Sequence, residues 1–234
     1  MTQPYTIPTD AKGFIVYDID NTAAPTDDLI KHIWRTYLAK QVFNGDFTAA
    51  IELHEKVRNN PRHKGKVTDV LCAETELDKA TATEEVYKLT SATLAEQPNI
   101  VPINPNTTQT IKALYQVGYN MGAITHARTI HATSVLKHMG VLQYFIAELV
   151  QGIDGLNFTS KAGKGTAYTK YQELYQLQNP EAQVWMLEDS PSNLIAAKKH
   201  GMTTVYIGTD NVTGLDYIDH QFPSITEFGK FILH

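Results

Sequence analysis

The chain has 234 residues, a hydrophobic fraction of 42% and a formal charge of −5; that length suits one α/β core with an inserted subdomain, and that apolar content excludes a disordered chain. Acids and bases are interspersed with no Lys/Arg-rich block, which argues against a nucleic-acid polymer as partner. The single cysteine, Cys72, excludes an intrachain disulfide, and no apolar run reaches membrane-spanning length, so the chain reads as soluble, cytoplasmic and without a membrane partner.

Phe14-Ile15-Val16-Tyr17 reads as a short buried strand running into Asp18. From about 26 to about 97 the apolar residues fall at helical spacing: Leu29, Ile33, Trp34, Tyr37 and Leu38, then Ala50, Ile51, Leu53 and Val57. Two further stretches follow, Val67 to Leu77 and Val86 through Leu94, making a block of roughly four helices with Cys72 in helical core. Pro98 to Pro105 is a Pro/Asn-rich return linker.

Beyond it, helices and strands alternate. The expected order is a helix over Thr107–Gln116, a strand over Met121–Ile124, a helix from Thr129 to Met139 stopped at Gly140, and a short strand over Glu148–Gln151. A helix over Thr166–Leu177 and a strand over Val184–Leu187 come next. Ser190 as N-cap, Pro191 at N1 and Gly201 beyond the last turn bracket another helix. The strand Thr203–Ile207 closes the sheet, and a terminal helix spans Ile225–Leu233. Alternation of this kind gives βαβ units and a parallel, Rossmann-like sheet. The expected layout is a core of residues 1–24 plus 100–234, with an α-helical cap of residues 25–99 inserted between the first and second strands.

Ligands of open parallel sheets bind at the C-terminal strand ends. Asp18 and Asp20 follow the first strand there, Thr125 the second, and Glu188 and Asp189 a later one. In extended backbone, residues two apart point to the same side, so Asp18 and Asp20 can act together. Ionised carboxylates about 4 Å apart repel by roughly 4 kcal/mol at an effective dielectric near 20, so such a cluster calls for a cation. All-oxygen ligands suit Mg²⁺. Asp and Asn also make ordinary solvated turns, and D-x-D alone does not decide between the two readings.

These motifs, in this order, resemble those of haloacid-dehalogenase-type phosphatases across nearly the whole chain: Asp18-Ile19-Asp20-Asn21-Thr22, then Thr125, then Lys164, then Glu188-Asp189 continuing to Asn193. The resemblance implies a Mg²⁺-dependent phosphomonoester hydrolase. Asp18 would be the nucleophile, and Asp20 the acid and then the base. Thr125, Lys164 and the neighbouring His126 would contact phosphate. Asp18, the Asp20 carbonyl and Asp189 would hold the metal, with Glu188 and Asn193 one layer further out. Lys161 competes for the lysine role, and Lys164 is preferred because Lys164-Gly165-Thr166-Ala167 opens a helix. His131 and His138, seven apart on one helix, read as structural or surface residues.

Within that superfamily the likeness is closest to pyrimidine 5′-nucleotidases, carried by Tyr17–Thr22, Ile130-His131-Ala132 and Gly201-Met202-Thr203-Thr204-Val205. It departs at His126 and Ala23, and a Lys-Pro pair is missing. The substrate expected is a small phosphorylated metabolite, with pyrimidine nucleoside monophosphates ahead of sugar phosphates or phosphoglycolate. A phosphomutase acting on sugar phosphates is the enzymatic alternative, and a non-catalytic phosphate-binding module the remote one. Trp34, Tyr37, Phe43 and Phe47 in the helical block are either base-stacking or packing residues.

Overall fold

A computed structural model describes residues 11–63, 65–154 and 183–234. The predicted helix over Thr166–Leu177, and with it Lys161 and Lys164, lies outside the described residues. The chain divides into two compact units, Met1–Pro25 with Pro102–His234, and Thr26–Val101. No helix among the described residues is long and apolar enough to cross a membrane.

The first unit carries a six-stranded parallel sheet. Its strands are β1 (Gly13–Tyr17), β2 (Tyr119–Ile124), β3 (Val150–Gln151), β4 (Val184–Glu188), β5 (Thr203–Ile207) and β6 (His220–Phe222), in the order β3-β2-β1-β4-β5-β6. β1 and β4 are buried at every residue, as central parallel strands covered on both faces must be. Phe14, Val16, Met186 and Tyr206 pack there with Leu194, Ala197 and Met202. After β1 the chain continues to β2 and β3 on one side, then crosses to β4 on the other. The C-terminal ends of β1 and β4 therefore flank the switch point where such sheets open a binding crevice.

Two strands differ from expectation. The stretch Glu148–Gln151 is strand only in its second half: Ala147–Leu149 forms a 3₁₀ turn, and Val150 and Gln151 pair with Ala123 and Ile124. The sheet also does not close at Ile207. β6 adds a sixth strand, and its His220-Gln221-Phe222 sequence carries no apolar run because an edge strand is half-exposed.

The helices of this unit show their end chemistry. In α5 (Pro105–Gln116) the Asn104 side chain accepts from the Asn106 and Thr107 N–H groups. α6 (Thr129–His138) ends at Gly140, whose φ of 71° suits glycine, and the Val141 N–H donates to Leu136 C=O. α7 (Pro191–Lys199) begins after Ser190 as predicted, but the Ser190 hydroxyl caps nothing; it sits 3.3 Å from the Ser192 hydroxyl. α8 (Ile225–Leu233) is capped by the Ser224 hydroxyl, which accepts the Glu227 N–H.

The second unit is helical. Its α-helices among the described residues are α1 (Asp27–Gln41), α2 (Phe47–Arg58), α3 (Val67–Glu74) and α4 (Lys79–Glu96). Leu29, Ile33, Leu38, Ala50, Val57, Leu71 and Val86 form its buried face. Asp46 and Asp78 cap α2 and α4. Trp34 and Tyr37 are buried and meet edge to face at 6.2 Å, so both pack helices. Phe47 is exposed beside His32.

Candidate active site

The segment after β1 folds back on itself. Ala23 and Ala24 both donate to the Ile19 carbonyl at 3.1 Å, and Asn21 donates to Ala24 C=O at 2.7 Å. Asn21 reaches this turn with φ 62°, a left-handed conformation that Asn tolerates. Ile19 is fully buried and anchors the turn.

This fold-back brings Thr22 beside Asp18. The Thr22 hydroxyl accepts the Asp189 N–H at 2.9 Å. Its hydrogen is shared between Asp18 Oδ2 at 3.3 Å and Asp189 Oδ1 at 3.2 Å. β1 and β4 pair directly, and the Asp18 N–H donates to Leu187 C=O at 2.9 Å. Adjacent strand ends thus place Asp18, Glu188 and Asp189 together, with one carboxylate oxygen of each within 4.8 Å of the others. Asp18 and Glu188 are buried. Glu188, read from sequence as lying one layer out, stands in the cluster itself, and Oε1 accepts the Ser190 N–H at 3.1 Å.

Charges so placed repel by ~3.5 kcal/mol per pair at 4.8 Å and an effective dielectric near 20. Burial and then the Glu188 carboxyl push Asp189 up to about 7, while the Thr22 hydroxyl pulls the other way. The donors are all carboxylate oxygens, and they converge. That chemistry fits a hard divalent cation such as Mg²⁺.

Asp20 faces a different set. Its Oδ2 accepts the Thr125 hydroxyl at 2.9 Å, and Oδ1 lies 2.8 Å from His131 Nε2. Thr125 is buried at the end of β2; its oxygen accepts the Ala127 N–H at 2.9 Å, and its own N–H donates to Gln151 C=O. His126 is exposed. Asn193 is half-buried in the first turn of α7, where its N–H donates to Ser190 C=O. His131, read as structural or surface, is fully buried and joins the site through Asp20. No spacing rule marks a contact spanning 111 residues; the one hint is its position in the first turn of the helix after Thr125.

The Thr125 loop is clamped from β3. Ile153 N–H donates to Ala127 C=O at 2.8 Å, and Gly152 N–H to the Thr129 hydroxyl at 3.0 Å. Asp154 Oδ1 accepts both the N–H and the hydroxyl of Thr129 at 2.8 Å. Gly152 is required here: a Cβ would come within 2.2 Å of Thr129 N.

Residues 15–207 match the family model of haloacid dehalogenase-like hydrolases. The chain belongs to that family. Among curated relatives it is similar to the phosphoglycolate phosphatase of Vibrio vulnificus strain YJ016, with 30% identity over 97 residues. That match covers 42% of this chain and only 40% of the relative's length. Two solved structures share the fold over nearly the whole chain. The HAD phosphatase from Thermococcus onnurineus has a TM-score of 0.62 and 20% identity, covering 94% of this chain and 97% of that one. CbbY from Rhodobacter sphaeroides, solved in complex with phosphate, has a TM-score of 0.68 and 16% identity, covering 94% and 96%.

Proposed function

We propose that this protein hydrolyses a phosphomonoester through a phosphoryl group carried on Asp18. The observation that supports this reading most is the pairing of two carboxylates with different surroundings at one sheet edge. Asp18 stands in the acidic cluster with Thr22 and Asp189, while Asp20 stands apart on Thr125 and His131. Such divergence suits one carboxylate for attack and the other for proton transfer.

Asp18, Glu188 and Asp189, with the Asp20 carbonyl, are the groups that would hold Mg²⁺. Bound there, the ion would offset charge on the phosphoryl oxygens. Asp18 attacks phosphorus and becomes a mixed anhydride. Asp20 gives its proton to the departing oxygen, then takes one from the water that hydrolyses the anhydride. The Thr125 hydroxyl, bonded to Asp20 here, is the donor that a phosphoryl oxygen would take over. Lys164, preferred over Lys161, would add a positive charge beside the phosphate. His126 is a further candidate for phosphate contact and Asn193 for supporting the metal ligands.

For the substrate, two observations favour phosphoglycolate or a sugar phosphate over a pyrimidine nucleotide. The Vibrio relative is named a phosphoglycolate phosphatase. Trp34 and Tyr37, two of the residues considered for base stacking, are buried against each other. The nucleotide reading keeps the Ile130-His131-Ala132 likeness in its favour. The test is kcat/KM for phosphoglycolate, glucose 6-phosphate, UMP and CMP with Mg²⁺. A clear lead for either nucleotide reverses the ranking, and no turnover of any phosphate ester defeats the hydrolase reading. Helices of the Thr26–Val101 unit are assigned the role of a specificity-setting cap.

A further inference from the structure

We propose that His131 is a positioning residue for Asp20, holding its carboxyl at the angle from which it serves the leaving oxygen. The inference rests on the proposed acid role of Asp20. A carboxyl group that donates a proton in a transition state must be aimed, and an unrestrained Asp rotates about its last side-chain bond.

Asp20 is restrained at both oxygens: Thr125 Oγ1 at 2.9 Å on Oδ2, and His131 Nε2 at 2.8 Å on Oδ1. The two partners are not equivalent. The Thr125 hydroxyl has one hydrogen, and a phosphoryl oxygen bound at the end of β2 competes for it. Once it is taken, the His131 contact persists and keeps the carboxyl from swinging away. With Asp20 ionised, Nε2 is the protonated ring nitrogen and donates.

The histidine is built for constancy. Its ring is fully buried, whereas the Asp20 side chain is 21% exposed. Its backbone N–H donates to Arg128 C=O at 2.9 Å in the first turn of α6. That turn is fixed in its turn by the paired bonds from Thr129 to Asp154. The ring therefore sits on a braced helix start, while the group it holds is partly exposed.

The experiment uses the whole chain with Mg²⁺ and two kinds of substrate. One is whichever ester of the panel above the wild type turns over fastest, since each releases an alcohol that needs a proton. The other is 2,4-dinitrophenyl phosphate, whose phenolate leaves without one. His131→Phe keeps a buried ring and removes the donor; His131→Gln keeps an N–H near the Nε2 position. His131→Phe is expected to lower kcat/KM about 100-fold on the alkyl ester and no more than about threefold on the aryl ester. Inhibition by inorganic phosphate should hold at the wild-type level, and His131→Gln should recover most of the lost alkyl-ester rate. If His131→Phe does not fold, His131→Ala replaces it as the donor-free variant.

Equal losses on both esters, or no loss on the alkyl ester, overturn the proposal. Asp20→Asn in the same assays separates the two levels of the argument. If it spares alkyl-ester turnover, the acid assignment fails and the inference goes with it. If it collapses that turnover while the His131 variants do not, only the inference fails.

Discussion

Asp189→Asn should stabilise the protein when metal is chelated and weaken it relative to wild type when Mg²⁺ is abundant. In the cluster with Asp18 and Glu188, Asp189 is raised from 3.8 to about 7, chiefly by burial and then by Glu188. A carboxyl whose folded value lies above its unfolded one favours the fold below pH 3.8, and that contribution is lost as the pH climbs through about 7. The full displacement corresponds to about 4 kcal/mol. Asp189 is only partly buried, and solvent screening brings the expected loss to about 2 kcal/mol at pH 8. Asn removes the charge and can still accept the Thr22 hydroxyl, now 3.2 Å from Asp189 Oδ1. At roughly 2–4 °C per kcal/mol for a chain of this size, Tm in EDTA at pH 8 should rise by about 4–8 °C. Added Mg²⁺ should raise wild-type Tm and move the variant little, because binding stabilises only the state that holds the ion. The variant should also need more Mg²⁺ for turnover. The assay is thermal denaturation in EDTA and across a Mg²⁺ series, at pH 5 and pH 8. A variant less stable than wild type in EDTA at pH 8, or equal Mg²⁺ responses, would refute the reasoning.

Gly152→Ala places a Cβ within 2.2–2.5 Å of backbone atoms of Ala127, Arg128 and Thr129, so the loop after Thr125 has to move. A loss of about 1–3 kcal/mol in stability is expected from the overpacking, with kcat/KM down by as much as about 100-fold from the displaced hydroxyl. Wild-type Tm and kcat/KM together would contradict the clamp. Lys164→Ala should damage kcat/KM far more than Lys161→Ala; steady-state kinetics giving the opposite order would move the third motif to Lys161.

The fold was largely legible because its central strands obey a simple rule. Phe14–Tyr17 and Val184–Leu187 are unbroken apolar runs, as strands covered on both faces require. Gly140 and Pro191 marked helix ends by backbone chemistry that acts locally. β6 was illegible because His220 and Gln221 sit at a sheet edge, where water replaces packing on one side. β3 was overextended because Glu148 and Leu149 are turned away by a 3₁₀ bend that composition does not encode.

The candidate site divides along the same line. Asp18, Thr125 and Glu188-Asp189 stand at strand ends, where the sequence put them, and Asp20 follows two residues after Asp18. Their division into an acidic cluster and a separate Asp20 group was not legible. It depends on Thr22 folding back across the first loop and on His131 reaching Asp20 from α6. Those contacts join residues 167 and 111 positions apart, and only the packed sheet unit brings them together.

The central claim is a phosphoryl group carried on Asp18, and the direct measurement is to trap it. Wild-type protein turning over a phosphate ester with Mg²⁺ is quenched in acid, digested and examined by mass spectrometry. The account predicts a phosphorylated, hydroxylamine-labile peptide with the group on Asp18, absent from a folded Asp18→Asn variant that has lost turnover. Retained turnover in folded Asp18→Asn, or a phosphoryl group found on a different residue, would contradict it.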